Sequence, residues 1–136
     1  DVHGLVEASV KALKVGGKLI ICVPNNDSFI KYDRQLPTNL PPHHLGLWNK
    51  QSLKNLQSYF NIKVKSFYFQ KLNEQWEYEW YYRTQLSRLI NMFGEKAPLS
   101  KIVYKTCSLL PLVKIIKMLG KYINSHSIIA VYEKEK

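Results

Sequence analysis

Between Gly16-Gly17 and Pro24 lies KLIICV, residues 18–23, whose apolar side chains from Leu19 to Val23 follow one another without alternating. A strand with one wet face alternates polar and apolar residues. An unbroken apolar run suits a strand covered on both faces, as in the middle of a parallel sheet. Ahead of the glycines, Val2, Val6, Val10 and Leu13 recur at helical spacing, with Glu7, Lys11 and Lys14 on the other side. Gly16 and Gly17 stop that helix. Helix, Gly-Gly turn and buried strand make one half-turn of an α/β winding, and α/β is the fold class expected.

The rest of the chain fits that winding. Asn49 can cap a second helix, with Trp48 outside it packing on Leu53 as a hydrophobic staple and Leu53, Leu56 and Phe60 forming its inner stripe. Ile62, Lys63, Val64 and Lys65 alternate strictly, which suits a strand with one wet face near a sheet edge; the pattern blurs at Phe67–Phe69. The run SIIAVYE, Ser127 to Glu133, is again continuously apolar and should be central. Between these strands Asn73 can cap a helix running to Met92, with Glu74, Glu77 and Glu79 near its start and Arg83 and Arg88 later, both signs suiting the helix dipole. Gly94 is a natural stop. The helical pattern restarts after Pro98, pauses at Pro111 and continues through Leu112, Ile115, Ile116 and Leu119, with Lys114, Lys117 and Lys121 opposite.

A length of 136 residues makes one domain or part of one, and 46% hydrophobic residues suffice for a core. The longest apolar stretches are too short to cross a bilayer, and nothing at the amino terminus resembles a signal peptide. Asp1 in place of an initiator methionine suggests a piece of something longer. Cys22 in an apolar run and Cys107 in a helical one read as buried thiols, and the location expected is cytoplasmic. The net charge of +10 admits nucleic acid, anionic lipid or an acidic protein as partners. The lysines are scattered, however, without a block of like charges, which reads as a solvated basic surface and argues against a specific nucleic-acid site.

LKVGGKLIICVPN resembles the helix, Gly-Gly turn and fifth strand of class I S-adenosylmethionine-dependent methyltransferases, whose pattern is leucine, a basic residue, proline, two glycines, an aliphatic strand and proline-asparagine. Val15 stands where that family has proline, a change that loosens the turn. LPPHHLGLW with the serine-leucine helix after it, and HSIIAVYEK near the end, resemble one branch of the family, whose members lie in gene clusters for surface sugars or have no assigned substrate. The resemblance covers nearly the whole chain apart from residues 71–124. It implies the carboxy-terminal part of a Rossmann-like sheet, with strands like the family's fifth, sixth and seventh, the last antiparallel between the other two. Residues 1–70 and 125–136 would form this partial core, and 71–124 a helical insertion acting as a lid. The family holds its cofactor with a glycine-rich loop after the first strand and a carboxylate after the second. Here no Gly-x-Gly occurs, and Asp1 would align just past the fourth strand. The implied protein is thus a fragment of a methyltransferase acting on a small molecule or sugar-type acceptor. Its parent would bind S-adenosylmethionine, while this chain alone would neither bind the cofactor well nor be active.

In an open α/β sheet, ligands sit beyond the carboxyl ends of the parallel strands. The family topology would bring Asn25 through Trp48, His126 and the insertion to that rim, with Asn25, Trp48, His126, Trp76 and Trp80 binding the acceptor. His43 and His44, stiffened by Pro41 and Pro42, are candidates for a base or for a hydrogen bond positioning the acceptor, histidine being the side chain that titrates near neutrality. They equally suit capping a loop or a helix end. Trp76 and Trp80, one turn apart, can wall the acceptor or pack a lid helix on the sheet. The lysine face of the last helix fits a membrane surface, or more simply an amphipathic helix packed on the domain. No third and fourth zinc ligand stands at a recognisable spacing, and no metal is expected. His3 falls in the first helix, without a role of its own. Stripped of upstream strands, Lys18–Val23 would become an apolar edge through which the chain self-associates. Two rival readings remain: a non-enzymatic basic α/β module binding nucleic acid or an acidic partner, and a methyltransferase-like scaffold that has lost its activity.

Overall fold

The computed structural model of the chain describes residues 1–33, 40–41, 44, 46–93, 102, 106 and 111–136. His43 and Cys107 lie outside them, as do Gly94 and Pro98. The protein is mixed α/β. Its elements are α1 (Val2–Ala12), β1 (Lys18–Pro24), a 3-10 turn (Phe29–Tyr32), α2 (Lys50–Asn55), β2 (Ile62–Lys71), α3 (Gln75–Phe93), α4 (Leu112–Leu119) and β3 (Asn124–Lys134). No helix among the described residues is long and apolar enough to cross a membrane.

The strands form one three-stranded sheet in the order β1-β3-β2, with β3 antiparallel to both neighbours. The register runs from Lys18↔Glu133 to Pro24↔Ser127 on one side and from Ile62↔Lys134 to Lys71↔Asn124 on the other. The continuously apolar β3 is central, as its sequence predicts. β2 is an edge strand, and its blurred pattern has a cause: the register shifts between Val64 and Ser66. The extra residue inverts the parity of the strand, so Ile62 and Val64 before it and Phe67 and Phe69 after it all reach the same core.

That core covers one face of the sheet. Val6 and Val10 of α1 and Leu53 and Leu56 at α2 meet Ile62, Ile128, Ala130 and Tyr132. The Tyr132 hydroxyl, with no exposed surface around it, donates to the Leu53 carbonyl at 2.8 Å. The α1 helix starts at Asp1, whose carboxylate accepts from the His3 amide, and α2 starts at a reciprocal box between Asn49 and Ser52. Trp48 packs against this core, of which Leu53 is a buried member. Gly16, at φ 78°, turns the chain from α1 into β1 while its amide donates to the Lys134 carbonyl. At Gly17 a Cβ would stand 2.7 Å from the Lys14 carbonyl oxygen, so both glycines are needed there.

Two sequence expectations need correcting. The run at β1 suggested cover on both faces, yet β1 is an edge of this sheet: Ile20 is 64% exposed, and Cys22, expected buried, is exposed as well. Ile20 pairs across to Val131, and Cys22 to Ile129, on the face opposite α1 and α2. Within the described residues only β3 pairs with β1, which leaves the other side of β1 as a sheet edge.

A second core sits at the end of the sheet where β1 and β2 finish and β3 begins. Phe29, Ile30, Leu72 and Tyr78 are buried there, with Trp80, Tyr81, Val113, Ile116 and Ile123 packed around them. It joins the 3-10 turn, α3 and α4 to the sheet. Val113 and Ile116 turn inward from α4, while Lys114, Lys117 and Lys121 are exposed, as are Ile115 and Met118.

Candidate functional site

The start of α3 is where polar chemistry concentrates. Asn73 looked like its cap, but the cap that forms is the Glu77 carboxylate, which reaches back so that Oε2 accepts from the Asn73 and Glu74 amides at 3.1 and 3.2 Å. A glutamate in the third helical position satisfies otherwise orphaned amides in this way. Its second oxygen, Oε1, faces the sheet. It accepts from Gln70 Nε2 at 3.0 Å and from the Ser125 hydroxyl, and it lies 3.3 Å from His126 Nδ1. Glu77 and Ser125 have no exposed surface at all. A carboxylate group taken fully out of water needs its oxygens satisfied, and here four donors and the His126 ring nitrogen surround it.

His126 joins this buried pair to an aromatic wall. Its Nδ1 is 3.0 Å from Ser125 Oγ, and its ring lies 5.6 Å from the Trp76 ring and 5.4 Å from that of Trp80. The two indoles stack at 6.1 Å. Trp80 is gripped from every side: its Nε1 donates to Asp33 Oδ2 at 2.9 Å, and Phe29 meets its ring edge-on at 4.8 Å. Trp76 is 54% exposed, with its ring beside the imidazole. Burial pushes the His126 pKa below its ordinary 6.5, the nearby Glu77 carboxylate pulling it partly back, so the ring is neutral at neutral pH.

Asn25 belongs to the same end of the sheet. It is buried, its amide donates to the His126 carbonyl at 2.6 Å, and its side-chain oxygen accepts from the Asp27 amide. The Ser28 hydroxyl three residues on is buried without a hydrogen-bond partner among the described residues. Of the residues expected from sequence, the structure therefore brings together His126, Trp76, Trp80 and, through its backbone, Asn25. Trp48 stands apart in the main core, although its carbonyl accepts from the Asn26 amide at 2.7 Å. His44 is half-buried, with its amide donating to the Leu40 carbonyl; its partner His43 is outside the described residues. Among the described residues no group of His, Cys, Asp and Glu side chains is placed to hold a metal ion.

Glu77, Ser125 and Asp33 were missed. Glu77 carried the one legible signal, an acid three residues after a helix start, but it was read as serving the helix dipole. Comparison with family models, curated proteins and solved structures finds no match for this chain.

Proposed function

We propose that this chain is the acceptor-side part of an S-adenosylmethionine-dependent methyltransferase, with a Rossmann-like sheet completed by upstream strands and α3 and α4 lying over the acceptor. The observation that carries this reading is the β1-β3-β2 order. A final strand antiparallel between the other two sets Asn25 and His126 side by side at one sheet end, under the tryptophans of α3. That end lies beyond the carboxyl ends of β1 and β2, where ligands of open α/β sheets bind.

The sequence has no Gly-x-Gly, and among the described residues the positive-φ glycine, Gly16, turns at the opposite end of β1 and is tied to Lys134. On this reading the methyl donor is held outside these residues, and they supply the acceptor's surroundings: the exposed indole of Trp76 and the neutral imidazole of His126.

The test is a thermal-shift titration with S-adenosylhomocysteine on this chain and on the chain extended upstream to a full domain. A ligand that binds only the folded state raises the melting temperature as its concentration passes its Kd. A rise for the extended chain alone is the expected result. No rise for either chain overturns the proposal and favours the basic binding module or a methyltransferase-like scaffold that has lost its activity.

A further inference from the structure

Resting on that reading for its location, but not for its chemistry, we infer that Glu77 and Ser125 lock His126 in one tautomer, so that Nε2 accepts a hydrogen bond from the hydroxyl of a neutral ring stacked on Trp76. Proton counting gives the tautomer. A serine hydroxyl carries one proton, and that of Ser125 is donated to Glu77 Oε1. Ser125 Oγ then has only lone pairs to offer His126 Nδ1 at 3.0 Å, and Glu77 Oε1 at 3.3 Å is likewise an acceptor. Both neighbours of Nδ1 are acceptors, so Nδ1 carries the proton. In the neutral ring Nε2 is left with its lone pair, and it has no hydrogen-bond partner among the described residues.

The surroundings narrow the ligand class. A bare imidazole nitrogen binds groups that bring a proton, which excludes carboxylates and phosphates as its direct partner. The His126 side chain is 26% exposed, and its unpartnered Nε2 is not among the fully buried polar atoms, so solvent reaches it. Trp76, 54% exposed and 5.6 Å from the His126 ring, suits a flat ring, aromatic or saccharide, laid against its indole. Both ring types share the required chemistry, a neutral ring bearing a hydroxyl.

Glu77→Gln tests the lock. The carboxamide oxygen stays on the Asn73 and Glu74 amides, since only an acceptor serves there. The amide nitrogen then takes the place of Oε1 and donates to Ser125 Oγ, and the Gln70 carboxamide turns so that its oxygen, not its amide nitrogen, meets it. The Ser125 proton turns to Nδ1, and the imidazole proton moves to Nε2. Long-range nitrogen–proton correlation spectra of the chain read this directly. Nδ1-protonated His126 is expected in the wild type and Nε2-protonated His126 in E77Q. An Nε2-protonated ring in the wild type overturns the inference without any variant, whether or not E77Q folds; an unchanged tautomer in a folded E77Q removes Glu77 from it.

The ligand class is tested in the same spectra with phenol, methyl β-glucoside and, as a ring without a hydroxyl proton, anisole. Phenol or the glucoside moving the His126 and Trp76 signals, with at least a several-fold weaker effect of anisole and loss of the effect in E77Q, is the expected result, and which of the two acts assigns the ring type. Equal shifts with anisole, or none with any probe, overturn the assignment. These outcomes do not involve the methyl donor, so they stand apart from the S-adenosylhomocysteine titration.

Discussion

Truncating Glu77 to alanine should separate α3 from the sheet. The carboxylate gathers the Asn73 and Glu74 amides, Gln70, Ser125 and His126, tying the helix start to both β2 and β3. Removing the cap costs about 1 kcal/mol. Leaving the fully buried Ser125 hydroxyl without its acceptor costs about 1–3 kcal/mol, at the low end if it turns to His126 Nδ1. Against these, the variant no longer carries the desolvation of a buried charge. With that relief the net expectation is about 1–3 kcal/mol for Glu77→Ala, and about 1 kcal/mol for Glu77→Gln, which keeps an acceptor on the helix amides. Urea unfolding followed by far-UV circular dichroism measures both, and the near-UV signal of Trp76 and Trp80 reports whether their stack survives. Glu77→Ala within about 0.5 kcal/mol of the wild type would refute the reasoning, because it would mean water already satisfies these groups.

Tyr132→Phe should cost about 1 kcal/mol by urea unfolding, the Leu53 carbonyl losing a buried donor. Burial pushes the Tyr132 phenol up to about 12, so the folded chain holds that proton more tightly than the unfolded one. Its stabilising effect is full below pH of about 10 and is lost as pH rises through about 12, and Tyr132→Phe should flatten that part of the alkaline unfolding curve. The sign is opposite for His126, whose folded pKa is depressed by burial: the unfolded chain binds that proton more readily. Stability is therefore full above 6.5 and falls as pH drops through the folded value, a slope in melting temperature that His126→Gln should reduce. At Gly120, an alanine Cβ would stand 2.6 Å from Tyr78 Cε1 and 2.8 Å from the Leu72 carbonyl oxygen, so Gly120→Ala should destabilise by about 1–3 kcal/mol in urea. We also propose that β1 pairs with a second copy through its apolar edge; Ile20→Lys should then lower the sedimentation coefficient at high concentration, and a wild type that stays monomeric there overturns the idea.

Elements whose pattern is local were legible. The α1 stripe, the Gly-Gly turn, the Asn49 cap and the central β3 follow from neighbours in sequence, because helix periodicity and capping are decided within a few residues. What failed was cover. Ile20 and Cys22 sit in a run that reads as buried, but burial depends on what lies against the far face, and a strand's own residues do not encode that. The bulge in β2 was visible only as a blur at Phe67–Phe69. Its reason, keeping those rings on the core side after Ile62 and Val64, needs the β3 register to be seen.

The candidate site shows the same divide more sharply. Its aromatic half was legible, since Trp76 and Trp80 at one-turn spacing announce a shared face. Its polar half was not. Glu77 stands among Glu74 and Glu79 in a helix start that is largely solvated, and nothing local marks it for burial. Its partner Ser125 is 48 residues away and is brought beside it because β3 begins where β2 has just ended. The antiparallel insertion of β3 thus does two things at once: it fills the sheet between β1 and β2, and it carries Ser125 and His126 under the first turn of α3. Moving that register by one residue would turn Ser125 to the other side of the strand, away from Glu77. Glu77 would then be left without its hydroxyl donor and His126 without its fixed proton, so the register of β3 and the state of the imidazole are set together.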